Sequence, residues 1–126
     1  MSRPHYDDLE IREPAAREKS QLTLLPDLIR RAKTHAPGWA SHLSSVEPGD
    51  VTSRIELARL PILRKSSLKE LQARRPPFGG FATAEGPAAA RIFMSPGPIF
   101  EPEGHGEDWW HAARALHGVG GVVERQ

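Results

Sequence analysis

The chain has 126 residues with a net charge of +1, is 38% hydrophobic and 26% charged, and contains no cysteine. This length allows one domain, and the lack of cysteine excludes thiol chemistry and fits a reducing compartment such as the cytoplasm. The sequence shows no secretion signal or membrane span, and its near-zero net charge gives no overall attraction to nucleic acid or to an anionic membrane.

The N-terminal part of the sequence predicts helices. Pro14 suits the first turn of a helix, and the apolar spacing that follows predicts a helix over residues 15–36 with one buried face. Pro26 should kink or restart it, because proline removes one backbone hydrogen bond. A short second helix is expected after Pro37, around Trp39 and Leu43. The predicted buried face of the first helix consists of Leu22, Leu25, Leu28, Ile29, Ala32 and Ala36.

Two further stretches have the spacing of a capping box, in which a serine and a glutamate satisfy free amides at a helix start. The first pair is Ser53 and Glu56, whose helix must end before the proline at position 61. The second pair is Ser67 and Glu70, whose helix should run through residue 73. Residues 74–80, RRPPFGG, are expected to be irregular, because proline cannot continue a helix and glycine permits positive φ.

The sequence after residue 80 predicts few strands. The best candidate is the buried strand 90–94, ARIFM, with Ile92 and Met94 on one side and Phe93 on the other. Residues 81–84 and 121–123 are weaker candidates, and a loop rich in proline and glycine follows the main strand. Asp108 is then expected to cap a helix that carries Trp109 and ends at residue 118. The predicted class is α+β, mainly helical with one to three short strands.

Charge is segregated along the chain. Residues 54–75 hold seven basic and two acidic side chains, and residues 85–108 hold five acidic side chains and one basic side chain. Such runs usually form solvated faces. Because the basic run has no aromatic residue before Phe78 to stack on a base, no nucleic-acid partner is predicted.

No catalytic or metal-ligating motif is recognisable. HExxH and Gly-x-Ser-x-Gly are both absent, so no serine can be paired with a particular histidine. His105, Asp108 and His111 are close in sequence, but exposed or capping roles are the commoner interpretation. We therefore predict neither a catalytic residue nor a metal site. The histidines are His5, His35, His42, His105, His111 and His117.

Several segments stand in a recognisable order and spacing. They are YDDLEIREP (6–14), RAKTHAPGW (31–39), VTSRIELARLPILRKSSLKELQ (51–72), RPPFGGFA (75–82) and RIFMS (91–95). Together with the following helix they resemble the N-terminal segment of the phenylacetate–CoA ligase family, which belongs to the AMP-binding, adenylate-forming enzymes. The resemblance covers residues 6–117.

The resemblance implies an α/β fold for the complete ligase, which uses ATP, Mg and CoA to convert a carboxylic acid substrate into its CoA thioester. For this chain it implies an N-terminal fragment that is inactive alone, needs no cofactor and contributes no catalytic residue, because it lacks most of the catalytic core. Residues 1–75 would be a helical subdomain. Residues 76–126 would be the truncated start of the α/β core, with an atypical tail from about residue 118.

The family's phosphate loop, of the form SSGTTGKP, falls on residues 95–102, SPGPIFEP. Ser95, Gly97 and Pro102 match it, so these residues are the expected, degenerate nucleotide phosphate loop. The replacements remove hydroxyls and the lysine, and Glu101 adds a negative charge that would repel ATP phosphates. By composition alone, the same stretch is a structural turn. The replaced positions are Pro96, Pro98, Ile99, Phe100 and Glu101.

The alternative interpretation is a non-catalytic helical interaction module that associates with a second copy of itself. A strand with apolar residues on both sides and the adjacent Trp109 and Trp110 favour it, because unpaired strand edges and exposed apolar patches promote association.

Overall fold

The structure, a computed structural model, describes residues 5–83 and 89–120. In chain order its elements are α1 (Pro14–His35), α2 (Pro37–His42), a 3₁₀ helix (Pro48–Asp50), α3 (Arg54–Ala58), α4 (Lys65–Arg74), β1 (Arg91–Ser95), β2 (Ile99–Glu103) and α5 (Ala113–Gly118). Helices and one two-stranded antiparallel sheet confirm the α+β class.

Helix α1 begins at Pro14 and runs through Pro26 without restarting. Packing of its buried side stabilises the helix by more than it loses with the one backbone hydrogen bond that proline removes, since tertiary packing supplies most helix stability. Ile29 forms a small core with Leu43 and Val51. Leu28 is 61% exposed, so its predicted burial is wrong. The neighbouring Ile29 enters the core instead, and consecutive helix residues point about 100° apart.

The serine half of the first predicted capping box is confirmed, and the second predicted helix start is wrong. The Ser53 hydroxyl oxygen accepts a hydrogen bond from the Ile55 backbone N–H at 3.2 Å, at the start of α3. Helix α4 instead begins at Lys65, without a side-chain cap. The predicted Ser67 start therefore lies inside the helix, where Glu70 forms an ion pair with Arg74 one turn further on, at 3.6 Å.

The loop after α4 is irregular, as predicted, and it packs on α2. Gly79 and Gly80 have φ values of +68° and +77°, which glycine adopts without steric cost. The Gly38 backbone N–H donates to the Gly80 carbonyl at 2.7 Å, and Trp39 Nε1 donates to the Phe81 carbonyl at 3.0 Å. Residues 81–83 form no strand, whereas position 84 and the candidate strand 121–123 lie outside the described residues.

Strands β1 and β2 form a hairpin in which Arg91 pairs with Glu103 and Ser95 pairs with Ile99. The sequence predicted β1 but placed β2 in a loop. It also predicted that β1 would be buried, yet Phe93 is 44% exposed and Met94 is 65% exposed. That burial prediction is wrong because the sheet has two strands among the described residues, too few to cover both faces of β1.

The last helix, α5, begins four residues later than the nearest predicted helical position, Trp109. Asp108 does accept hydrogen bonds from the Ala112 and Ala113 backbone N–H groups, at 2.6 and 3.0 Å. Residues 109–112 form turns and no helix, because Asp108 and His111 have φ values of +48° and +52°, outside the right-handed helical region.

Candidate functional site

The hairpin is attached to helix α4 through one buried side chain, Gln72. Gln72 Nε2 donates to the Phe100 carbonyl at 2.9 Å, and the Phe100 backbone N–H donates to Gln72 Oε1 at 2.9 Å. The side-chain amide therefore acts as a peptide group would in a neighbouring strand. It fixes β2 against α4 and sets the position of the turn at the hairpin end.

The structure places the predicted phosphate-loop residues on a turn and a strand. Ser95 ends β1, and its hydroxyl contacts the Ile99 carbonyl at 3.5 Å. Gly97 lies in the exposed turn with a φ of +152°, a conformation that favours glycine. Pro102 lies within β2, opposite Ile92. The three residues thus do not surround one common point as a phosphate cradle would.

The hydrogen-bond donors and the charge of this turn do not fit the phosphates of a nucleoside triphosphate. Pro96 and Pro98 have no backbone N–H, which leaves the Gly97 N–H as the donor within residues 96–98. Glu101 is exposed on β2, where its carboxylate would repel phosphate oxygens. A phosphate site needs several converging N–H groups or cations, and this turn lacks them.

A cavity of about 410 Å³ lies between α2, α4, the loop after α4 and β2. This volume is in the range of small-molecule sites, roughly 300–1,000 Å³. The amide atoms of Gln72 at its wall are already bonded to Phe100, so the wall is mainly apolar. The apolar and aromatic lining residues are Trp39, Leu63, Leu68, Phe78, Phe81, Ala82, Ile99, Phe100, Pro102 and Trp109.

Glu103 at the end of β2 is buried, and both of its carboxylate oxygens have partners. Arg91 Nη2 lies 2.7 Å from Oε1, and Trp110 Nε1 donates to Oε2 at 2.7 Å. The Trp110 ring also meets Phe93 edge to face, with centroids 6.0 Å apart. The sequence predicts Glu103 as a solvated member of the acidic run 85–108, and it predicts no role for Gln72. Glu103 and Gln72 each bond to residues that only folding brings close to them. The sequence around them therefore gives no signal of these contacts.

Among residues 5–83 and 89–120, no three histidine, aspartate or glutamate side chains converge as metal ligands would. Within the same ranges, no helix has the length and apolar character to cross a membrane. No ion pair between described residues joins the basic run 54–75 to the acidic run 85–108, since Arg54 pairs with Glu18 and Arg91 with Glu103.

No protein-family model and no curated protein matches the chain. Two crystal structures of 2-hydroxyisobutyryl-CoA ligase in the postadenylation state are similar to it. One, in complex with R3-HIB-AMP, has a TM-score of 0.78 and 25% identity over 95% of this chain. The other, in complex with 2-HIB-AMP, has a TM-score of 0.74 and 27% identity over 94% of this chain.

The chain therefore has the structure of one part of an adenylate-forming acyl-CoA ligase, and it spans 28% of the length of these two ligase chains. The resemblance noted in the sequence is confirmed at this level. The structural neighbours are 2-hydroxyisobutyryl-CoA ligases, not phenylacetate–CoA ligases.

Proposed function

We propose that this chain is the N-terminal scaffold segment of an acyl-CoA ligase that activates a carboxylic acid with ATP and transfers it to CoA. The observation that carries the proposal is the structural match to 2-hydroxyisobutyryl-CoA ligase over 95% of the chain. The phenylacetate–CoA ligase subtype is the finer proposal, supported by the sequence segments at 6–14, 31–39, 51–72 and 75–82.

In this proposal, residues 1–75 are a helical subdomain and residues 76–126 begin the α/β core. The turn at Ser95 and Gly97 is a degenerate counterpart of the phosphate loop and does not hold the ATP phosphates. ATP, Mg, CoA and the acid would be bound by other parts of the ligase. The described residues contribute no group that moves a proton or attacks the substrate. Gln72 and Glu103 act by holding the hairpin in place.

The test is to immunopurify, from the native cells, the polypeptide or complex that contains this sequence. Its mass and its carboxylate-dependent exchange of pyrophosphate into ATP are then measured. We expect a mass several times 13.9 kDa and exchange that is stronger with phenylacetate than with 2-hydroxyisobutyrate. The recombinant 126-residue chain is the control, and we expect no exchange from it, because the groups that stabilise adenylation are elsewhere.

A second candidate function is a non-catalytic interaction module. Exposed apolar residues on the hairpin favour it, since Ile92 is 50% exposed and Met94 is 65% exposed. A native species of 13.9 kDa protomers without exchange activity would contradict the ligase proposal and support this second candidate.

A further inference from the structure

The cavity between α2, α4, the loop after α4 and β2 is lined by aromatic rings that contacts within the protein hold in place. Trp39 Nε1 donates to the Phe81 carbonyl at 3.0 Å, and the two rings meet edge to face with centroids 5.3 Å apart. A site whose side chains are already fixed loses less conformational entropy when a ligand binds. The five aromatic lining residues are Trp39, Phe78, Phe81, Phe100 and Trp109.

Trp109 is fixed at the cavity by its contact with the chain at the end of β2. Its ring lies directly against Gly104, since a Cβ atom at position 104 would stand 2.4 Å from the Trp109 ring. Glycine is therefore required for this placement of the indole. All thirteen lining residues lie between positions 39 and 109, so the walls of the cavity are formed within the described fold.

The charge at this cavity is acidic. Glu101 lines it, and none of the described lining residues is lysine, arginine or histidine. The Glu101 carboxylate forms no ion pair with any residue that the structure describes. The amide of Gln72, another polar lining residue, is already bonded to Phe100. A carboxylate beside aromatic rings attracts cations and repels carboxylates and phosphates.

We propose that this cavity binds a small organic cation, an ammonium group attached to an aromatic or apolar body. The aromatic faces attract the positive charge, the Glu101 carboxylate adds a second attraction, and the apolar walls contact the body of the ligand. The volume of about 410 Å³ accommodates a molecule of this kind. Because the site disfavours ATP, CoA and carboxylic acids, it is separate from the adenylation chemistry, and the proposal does not depend on the ligase assignment.

Isothermal titration calorimetry of the full 126-residue chain tests the preference with three probes that share a benzyl group. Benzyltrimethylammonium is positive, benzyl alcohol is neutral and phenylacetate is negative. At low salt, we expect benzyltrimethylammonium to bind about tenfold or more tightly than phenylacetate, with benzyl alcohol between them. Absence of binding by the cation, or equal affinity for the cation and phenylacetate, would overturn the proposal. Neither result bears on the pyrophosphate exchange that tests the ligase assignment.

Two charge reversals locate the site. Glu101→Lys places a cation at the cavity, so it should reverse the preference and favour phenylacetate, while Glu101→Gln should weaken binding of benzyltrimethylammonium by roughly two- to fivefold. Circular dichroism checks that both variants fold. Glu107→Lys makes the same change in net charge at an exposed position that does not line the cavity, and it should keep the wild-type preference. Equal effects of the two lysine substitutions would overturn the proposal.

Discussion

At the scale of single residues, Gln72 is the buried side chain of α4 and bonds that helix to the hairpin. It joins a helix to a strand 28 residues away in sequence, using both its donor and its acceptor. Buried amides are tolerated when both groups are paired. The side chain therefore stabilises one position of the hairpin relative to α4, and it does so without a charge.

Replacing Gln72 with alanine should destabilise the protein. The change leaves the Phe100 N–H and C=O without a partner, which typically costs about 1–3 kcal/mol. Urea unfolding at one fixed protein concentration measures this loss. Gln21→Ala, at an exposed position on α1, is the control and should change the free energy of unfolding by less than about 0.5 kcal/mol. Equal effects of the two substitutions would contradict the role of Gln72.

Gly38 is the second residue with a specific requirement. A Cβ atom there would lie 2.8 Å from the Gly80 carbonyl oxygen and 2.9 Å from that of Gly79. Both neighbours are backbone atoms, so Gly38→Ala must separate α2 from the loop, and overpacking of this kind costs about 1–3 kcal/mol. The same unfolding measurement applies. Gly49→Ala is the control, because no atom lies within 4 Å of its new Cβ. An equal loss in the free energy of unfolding for Gly49→Ala would refute the steric explanation for Gly38.

At the scale of elements, the sequence predicted those helices whose positions depend on interactions between residues close together in the chain. The apolar spacing and Pro14 were enough to predict α1, and Ser53 was enough to predict the start of α3. Strand β2 was missed because Ile99–Glu103 contains a proline and follows a Pro/Gly turn, a composition typical of loops. Its strand conformation depends on β1 and Gln72. Resemblance to a family located Ser95 and Gly97, but the contacts of Gln72 and Glu103 required the folded structure.

Helix α5 is attached to the N-terminal segment by Arg114. Its Nη2 lies 2.6 Å from Asp7 Oδ2, and its Nε lies 3.5 Å from Glu10 Oε1. The guanidinium also stands over the Tyr6 ring, 5.8 Å from the centroid. Hydrogen bonding to Asp7 raises the pKa of Arg114. Asp7 and Glu10 of the YDDLE segment thus have a structural role in this chain.

Replacing Arg114 with alanine should loosen the N-terminal segment while leaving the core intact. Solvent screening leaves exposed ion pairs with little effect on stability, so the urea midpoint should barely move. Backbone amides of residues 6–12 should exchange faster with deuterium, as monitored by mass spectrometry. Arg31→Ala, on the exposed side of α1, should leave that exchange unchanged. Unaltered exchange in Arg114→Ala would show that the segment is held by other contacts.

At the scale of the whole molecule, the apolar residues are divided between a small core and a large exposed set. Ile29, Leu43 and Val51 form the helical core, and Phe78 and Ile99 are buried on the hairpin side. The bonds from Gly38 and Trp39 to the loop after α4 connect these two parts. Further exposed apolar residues lie on β1, in a chain that spans 28% of the length of its ligase neighbours.

The bonds between Gln72 and Phe100 also limit how far this sheet can extend. A strand with free peptide groups on both flanks lets copies add end over end without limit, as fibrils do. Here the β2 flank is already occupied at Phe100 and has no N–H at Pro102. Addition of a strand at β2 is therefore blocked, and the sheet can be extended at β1 alone.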